Sequence, residues 1–195
     1  QNIMGLWIIQ ECKREWDRKG EVVDFGELVK MAEQAPAFRS IIDVDDPRFL
    51  PTGDMLGRIQ GYCQETNQPV PQTKGEFSRL IYESLALKYR LCVERLERDL
   101  LGHKVDVLHI VGGGSKNVML NQFTANALRI PVIAGPSEGT VIGNLLMQAM
   151  ALGAFDSLAS LRACVAASFP TETFQPEGEE KAWDEAYARL LALGK

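Results

Sequence analysis

The stretch that decides the fold of this chain is residues 105–117, VDVLHIVGGGSKN, in which an apolar strand runs directly into three glycines. Glycine adopts backbone angles that a Cβ disfavours and leaves its N–H groups open, so such a turn can surround a phosphate. Ser115 is placed to cap a helix from Lys116 to about Leu128, whose N-terminal dipole would favour an anion nearby. The stretch therefore predicts a strand, an anion-binding turn and a helix.

The glycine run matches neither of two common nucleotide-binding fingerprints. Asn117 stands where G-x-G-x-x-G requires its third glycine, and the pattern G-x-x-x-x-G-K-[ST] occurs nowhere in the sequence. From the residues alone, a flexible strand-to-helix turn without a ligand therefore stays open as an alternative.

A second apolar run, residues 130–134, predicts another strand, so about 105–134 form a βαβ unit with parallel strands. The rest of the chain is expected to be mainly helical. Thr73 and Glu76 form a capping box that opens the longest helix. The predicted helices cover about 1–18, 25–35, 54–66, 73–101, a segment that follows the tight turn 135–140 and ends at about 152, a segment from 158, and 179–193. Two or three strands are few for a doubly wound sheet, so we expect further strands upstream of Gln1, where the chain starts like a cut end.

Composition narrows the class of protein. The 195 residues are enough for one domain, and the apolar fraction of 46% is typical of a globular protein. The net charge is −5, and basic residues are scattered among acids, so no stripe for a nucleic-acid backbone forms. The apolar run 6–9 is far too short to span a membrane, and no signal peptide is visible. We therefore expect no nucleic-acid or membrane partner and a cytoplasmic location.

The sequence offers no convincing metal site. Three acids in residues 43–46 invite a calcium interpretation, but an EF-hand counted from Asp43 would need glycine and glutamate where Arg48 and Asp54 stand. An Asp-Pro turn at the surface is the better prediction. The cysteines are widely spaced without a C-x-x-C pair, so we expect free and mostly buried thiols. They are Cys12, Cys63, Cys92 and Cys164.

Four segments of the chain, residues 2–7, 80–86, 109–117 and 135–144, resemble in the same order the C-terminal part of the FGGY carbohydrate kinases. The resemblance is to the members that act on L-rhamnulose. It implies a helix-rich α/β fold of the ribonuclease H-like, actin-like ATPase type, with ATP and sugar meeting between two domains. Residues 1–195 would be a single domain, most of the C-terminal kinase domain, without the N-terminal domain and without the first strands of this one.

The same resemblance implies nucleotide contacts at Asn2, Gln10, Gly112, Gly113 and Asn117. If one helix runs from Asn2 through Gln10, eight residues correspond to about 2.2 turns, so the two amides lie roughly 80° apart and can address one groove. Without the resemblance both would be ordinary caps or surface residues. Asn117 could contact the nucleotide or only hold the turn, and we favour contact.

The implied reaction transfers the γ-phosphoryl group of ATP to the 1-hydroxyl of L-rhamnulose, with magnesium bridging the phosphates. A carboxylate should accept the hydroxyl proton. The aspartate motif that the family uses for this is absent from the sequence, so we assign no catalytic residue and expect this chain alone to be inactive. The sugar would bind through the missing N-terminal domain. Two alternatives stay open: a family member acting on a xylulose- or fuculose-type sugar, and a non-catalytic actin-like nucleotide-binding module.

Overall fold

The computed structural model describes residues 2–194. Within this range the chain forms eight α-helices and three short strands, which confirms the helix-rich α/β class. In chain order they are α1 (Trp7–Arg18), α2 (Phe25–Gln34), α3 (Met55–Glu65), α4 (Lys74–Leu96), β1 (Leu108–Ile110), α5 (Val118–Leu128), β2 (Val132–Ala134), α6 (Gly139–Ala151), α7 (Leu158–Ser168), β3 (Glu172–Phe174) and α8 (Glu180–Leu193). A wider π-helical turn, Glu97–Leu101, continues α4 to its predicted end.

The sheet confirms the predicted βαβ unit and adds one strand. β1 and β2 are parallel, with Leu108 opposite Val132, and α5 connects them. β3 pairs antiparallel with β2, so the order is β1-β2-β3. The sequence did not predict β3, because only Phe174 of its three residues is buried and such a short strand has no alternating pattern.

The predicted helix at the start of the chain is wrong in its first turn. α1 begins only at Trp7, and residues 2–4 have no regular secondary structure. Gly5 lies in the turn before the helix and has a left-handed φ of 59°. The Met4 N–H donates to Asp45 at 3.1 Å, which ties this segment to a distant loop. Asn2 and Gln10 therefore do not share a helix, and the expected 80° relation between them does not apply.

α4 lies at the centre of the larger core. Its capping box forms as predicted, with Thr73 accepting from the Glu76 N–H and Glu76 accepting from the Thr73 N–H, each at 3.2 Å. α4 packs against α2 on one side and α5 on the other. Gly75 permits the close approach of α2, because a Cβ there would lie 2.4 Å from the Met31 carbonyl oxygen.

The loop that carries the three acids forms the predicted Asp-Pro turn. Asp46 accepts from the Arg48 N–H at 2.9 Å and opens a short 3-10 turn, Pro47–Phe49. Lys88 of α4 has only 8% of its side chain exposed and contacts Asp43 at 2.8 Å and Asp45 at 3.1 Å. These acids are therefore used for structure within the folded chain.

A second and much smaller core surrounds the sheet, whereas α5 and α8 also contribute to the larger one. Ala125, Val132, Ala134 and Phe174 form a separate buried cluster around the sheet. α6 has no buried residue in the part of the chain that the structure describes. The prediction of mostly buried thiols holds for two of the four: Cys12 and Cys63 are buried, whereas Cys92 and Cys164 are half-buried.

Candidate functional site

The glycine turn, residues 112–117, connects β1 to α5. Gly112 has φ 82° and ψ −165°, a combination that favours glycine. Gly113–Lys116 then form a 3-10 turn, in which the Ser115 N–H donates to Gly112 and the Asn117 N–H donates to Gly114, both at 3.1 Å. Of the three glycines, Gly112 is thus the one that the backbone conformation itself requires.

Asn117, and not Ser115, caps the helix that follows. α5 begins at Val118, and the Asn117 side-chain oxygen accepts from the Leu120 N–H at 2.9 Å. The Ser115 hydroxyl instead donates to the Gly112 carbonyl at 2.7 Å. The expected cap was wrong because the 3-10 turn takes up the residues between the glycines and the helix. The cap uses the Asn117 oxygen and leaves its amide NH₂ group for other contacts.

The glycine turn is fastened on both sides. The Gly112 N–H donates to the Pro136 carbonyl at 3.1 Å, which links it to the loop after β2. From α5, the Asn121 side chain donates to the Ser115 carbonyl at 2.8 Å. The turn is therefore held between the sheet and its own helix.

Beside the glycine turn lies a cleft of about 410 Å³, which we call the amide cleft. α1, α2, α4 and the turn contribute its walls. It is lined by Leu6, Ile9, Gln10, Phe25, Gly26, Val29, Tyr82, Gly113, Gly114, Lys116 and Asn117. A mostly apolar cleft with a few polar groups is typical of a small-molecule site.

Three of the five predicted nucleotide contacts meet in the amide cleft: Gln10, Gly113 and Asn117. A Cβ added to Gly113 would meet no atom within 4 Å, so the space in front of it is open. Asn2 and Gly112 do not line the cleft. Asn2 lies exposed on the irregular segment before α1, and Gly112 forms the entry to the turn.

The structure adds cleft residues that the sequence did not predict. Phe25, Gly26 and Val29 form a wall that depends on how α2 packs, and no sequence signal marks them. Lys116 could have been found, because a lysine directly after a glycine run suits an anion.

Tyr82 is the most unusual member of the cleft lining. It is fully buried, and its hydroxyl lies near the Asn117 side chain without a hydrogen bond of good geometry among residues 2–194. Burial raises the pKa of Tyr82, and hydrogen bonding to the Asn117 side chain acts against that rise. Tyr82 and Asn117 thus place two polar groups close together in a mostly apolar lining.

A second cleft of about 390 Å³, the apolar cleft, lies beside β1. Leu6 and Gly114 line both clefts. The other residues that line it are Tyr89, Cys92, Val93, Leu108, His109, Ile110, Val111, Leu120 and Asn121. Unlike the amide cleft, it contains neither lysine nor any of the predicted nucleotide contacts.

The described residues contain neither a cluster of metal ligands nor a membrane span. Residues 2–194 contain no group of three or more His, Cys, Asp and Glu side chains that could hold a metal ion. Over the same range, no helix has the length and apolar character needed to cross a membrane.

Comparison with known proteins gives these features a family context. The model of the C-terminal domain of the FGGY family of carbohydrate kinases matches residues 1–152. Rhamnulokinase of Bacteroides thetaiotaomicron is 44% identical over 187 residues, which are 96% of this chain and 37% of that protein. Rhamnulokinase of Enterococcus faecalis is 46% identical over 177 residues, which are 90% of this chain and 35% of that protein. The chain thus spans little more than a third of the length of these relatives.

Solved sugar-kinase structures share the fold. Xylulose kinase from Rhodospirillum rubrum superimposes with a TM-score of 0.63 at 22% identity, covering 97% of this chain and 37% of that one. Plasmodium falciparum glycerol kinase, solved with ADP, superimposes with a TM-score of 0.60 at 18% identity. The match covers 91% of this chain and 36% of that one. The expected actin-like ATPase fold is confirmed.

Proposed function

Because the chain belongs to the FGGY family of carbohydrate kinases, we propose that it supplies the nucleotide-binding part of a sugar kinase. ATP is the proposed phosphoryl donor and L-rhamnulose the proposed acceptor, phosphorylated at its 1-hydroxyl. The relatives named rhamnulokinase support this sugar, since they match nearly the whole chain. The likeness to xylulose kinase concerns the fold alone and does not favour xylulose.

The observation that carries the proposal is that Gln10, Gly113 and Asn117 line one cleft although they lie far apart in sequence. Phosphates would occupy the open space in front of Gly113, where a Cβ is missing. The Asn117 amide NH₂ can donate to the nucleotide while its oxygen caps α5. Lys116 supplies a positive charge beside the phosphates.

Asn2 and Gly112 lie outside the cleft lining, and each would serve the nucleotide site in a different way. Asn2 would reach the nucleotide from the segment before α1, which the bond from Met4 to Asp45 holds in place. Gly112 would act through the turn, because its left-handed φ lets the chain enter the turn directly from β1.

Magnesium is proposed to accompany ATP. Magnesium in nucleotide sites is usually held by one or two carboxylates together with the phosphates, so it needs no cluster of protein ligands. The phosphate oxygens would be the main ligands of the ion.

We also propose that residues 1–195 form most of one kinase domain, and that another domain binds the sugar and carries the catalytic carboxylate. Phosphoryl transfer depends mainly on positioning and charge neutralisation, so a chain that holds only the nucleotide should not turn over sugar. A cytoplasmic location fits the use of ATP.

The nucleotide site is tested by calorimetric titration with ADP and magnesium. Gly113→Val should raise the Kd at least tenfold, because the side chain fills the phosphate space. Its free energy of unfolding should change by less than about 1 kcal/mol, since a Cβ at this position meets no neighbour.

Gly143→Val is the matched control for this titration. Gly143 also has no atom within 4 Å of an added Cβ, but it lies on α6 outside the amide cleft. It should bind ADP like the parent protein. Equal affinity of Gly113→Val and the parent would overturn the proposed site.

The sugar is tested separately, by phosphorylation assays on the full-length protein that carries this chain. L-rhamnulose should give a higher kcat/KM than L-fuculose or D-xylulose. A higher value for either competitor would overturn the proposed sugar and leave the nucleotide site standing.

A further inference from the structure

Asn121 is a polar side chain buried directly behind the glycine turn. It lies on α5 and is 0% exposed. Its side-chain NH₂ donates to the Ser115 carbonyl at 2.8 Å, six residues earlier in the chain. Its own backbone N–H donates to Asn117 at 3.0 Å, as the first turn of the helix requires. One residue thus contacts the glycine turn through both its side chain and its backbone.

The side-chain oxygen of Asn121 does not contribute to the stability of the fold. This oxygen is buried and has no hydrogen-bond partner among residues 2–194. A buried acceptor without a donor lowers the stability of a folded protein, whereas an apolar side chain of similar size avoids that loss. The apolar neighbours in the second cleft would suit a leucine at this position. The favourable contact that the amide makes is therefore the bond from its NH₂ to the Ser115 carbonyl.

The glycine turn needs a brace of this kind. It contains a single short 3-10 turn, whose hydrogen bonds have poorer geometry than those of an α-helix. Three consecutive glycines also leave the unfolded backbone more freedom than other residues would. The bond from Asn121 ties the Ser115 carbonyl to α5, while Gly113, Gly114 and Lys116 of the same turn line the amide cleft.

We infer that Asn121 is a positioning residue, which fixes the glycine turn in the conformation that receives the nucleotide phosphates. It acts through the Ser115 carbonyl and does not touch the ligand. The part of this inference that concerns phosphate rests on the proposed function, whereas the bracing of the turn rests on the hydrogen bond alone.

Thr124 provides a matched control on the same helix. It is also polar and 0% exposed, and it lies three residues after Asn121. Its hydroxyl donates to the Leu120 carbonyl at 2.6 Å, within α5 and away from the turn. Thr124→Val therefore removes a buried hydrogen bond without removing the brace.

The experiment compares the full chain with Asn121→Leu and Thr124→Val by amide hydrogen exchange without nucleotide, by thermal unfolding, and by titration with ADP and magnesium. In Asn121→Leu, exchange at the Ser115 and Asn117 amides should become at least tenfold faster, while the amides of α4 keep their parent rates. The Kd for ADP should rise at least tenfold, and Tm should not fall below that of Thr124→Val. Thr124→Val should keep the parent exchange rates in the turn and the parent Kd.

Two results would overturn the inference. One is unchanged exchange at the turn and unchanged ADP affinity in Asn121→Leu. The other is faster exchange throughout the molecule with a lower Tm, which would show that Asn121 serves only general stability. If the parent protein binds no ADP but the turn still loosens in Asn121→Leu, the proposed function and the phosphate role of Asn121 fail, and the bracing of the turn stands.

Discussion

α4 and α6 are both helices rich in apolar residues, but the rest of the chain buries α4 and leaves α6 exposed to solvent. α4 buries twelve of its residues, between Gly75 and Lys88. α6 buries none in the part of the chain that the structure describes, and Val141 and Leu145 are each 64% exposed. The larger core around α4 draws on both halves of the chain, since α5 and α8 also contribute buried residues to it. α6 instead leaves its apolar residues exposed. The glycine turn and the amide cleft belong to the region around α4.

The largest expected effect compares one leucine from each region. Leu85→Ala on α4 should lower the free energy of unfolding by about 3 kcal/mol, because the residue is 0% exposed and its removal leaves a cavity. Leu145→Ala on α6 should change it by less than about 0.5 kcal/mol. Denaturant unfolding of the two variants measures the difference. Similar losses in both would show that α6 is covered in solution and would remove the contrast.

The next effect is a pH dependence inside the well-packed region. Burial raises the pKa of Glu83 on α4 from 4.5 to about 7, against the opposing effect of its ion pair with Arg79. Between these values the folded protein holds a proton that the unfolded chain has lost. Stability should therefore fall as the pH rises from about 4.5 through 7, by at most about 3 kcal/mol.

Glu83→Gln tests this assignment, because the amide is similar in shape and does not titrate. Chemical unfolding at pH 5 and pH 8 should give a smaller decrease for the variant than for the parent. Parallel decreases in both proteins would mean that another group causes the pH dependence.

The smallest change concerns Asn117, which caps α5 beside the core around α4. Asn117→Ala should lose about 1 kcal/mol of stability, because the Leu120 N–H loses its cap. Asn117→Asp keeps an oxygen for that cap and should retain stability, but it replaces the amide donor with a negative charge and should bind ADP at least tenfold more weakly. Thermal unfolding and ADP titration of both variants separate the two roles. Normal ADP binding by Asn117→Asp would leave Asn117 as a cap only.

Much of the fold could be predicted from local sequence patterns. The capping box at Thr73 and Glu76 fixed the start of α4, and the apolar runs around the glycines gave β1, α5 and β2. These features depend on neighbouring residues, so one sequence is enough to find them. The order of four separated segments then supplied the family and the fold.

Two of the errors arose where long-range contacts decide the local structure, and the third arose at a local 3-10 turn. Gly5 takes a left-handed φ and the Met4 N–H bonds to Asp45, so the helix does not extend back to Asn2. β3 exists because it pairs with β2, which its three residues could not indicate. Asn117 caps α5 in place of the predicted Ser115, because a 3-10 turn precedes the helix.

The candidate site was only partly predictable for the same reason. Gln10, Gly113 and Asn117 were identified through the resemblance, and the fold brings them to one cleft. The wall formed by Phe25 and Val29 depends on the close packing of α2 against α4 at Gly75, a contact that no local pattern indicates.

The central claim is that the glycine turn and the amide cleft form the nucleotide site. The most direct test is ¹⁵N NMR of the chain during titration with ADP and magnesium. We expect the largest shifts at the backbone amides of Gly113 and Gly114 and at the side-chain amides of Gln10 and Asn117. Shifts confined to β1 and the apolar cleft, or no shifts at saturating ADP, would contradict the account.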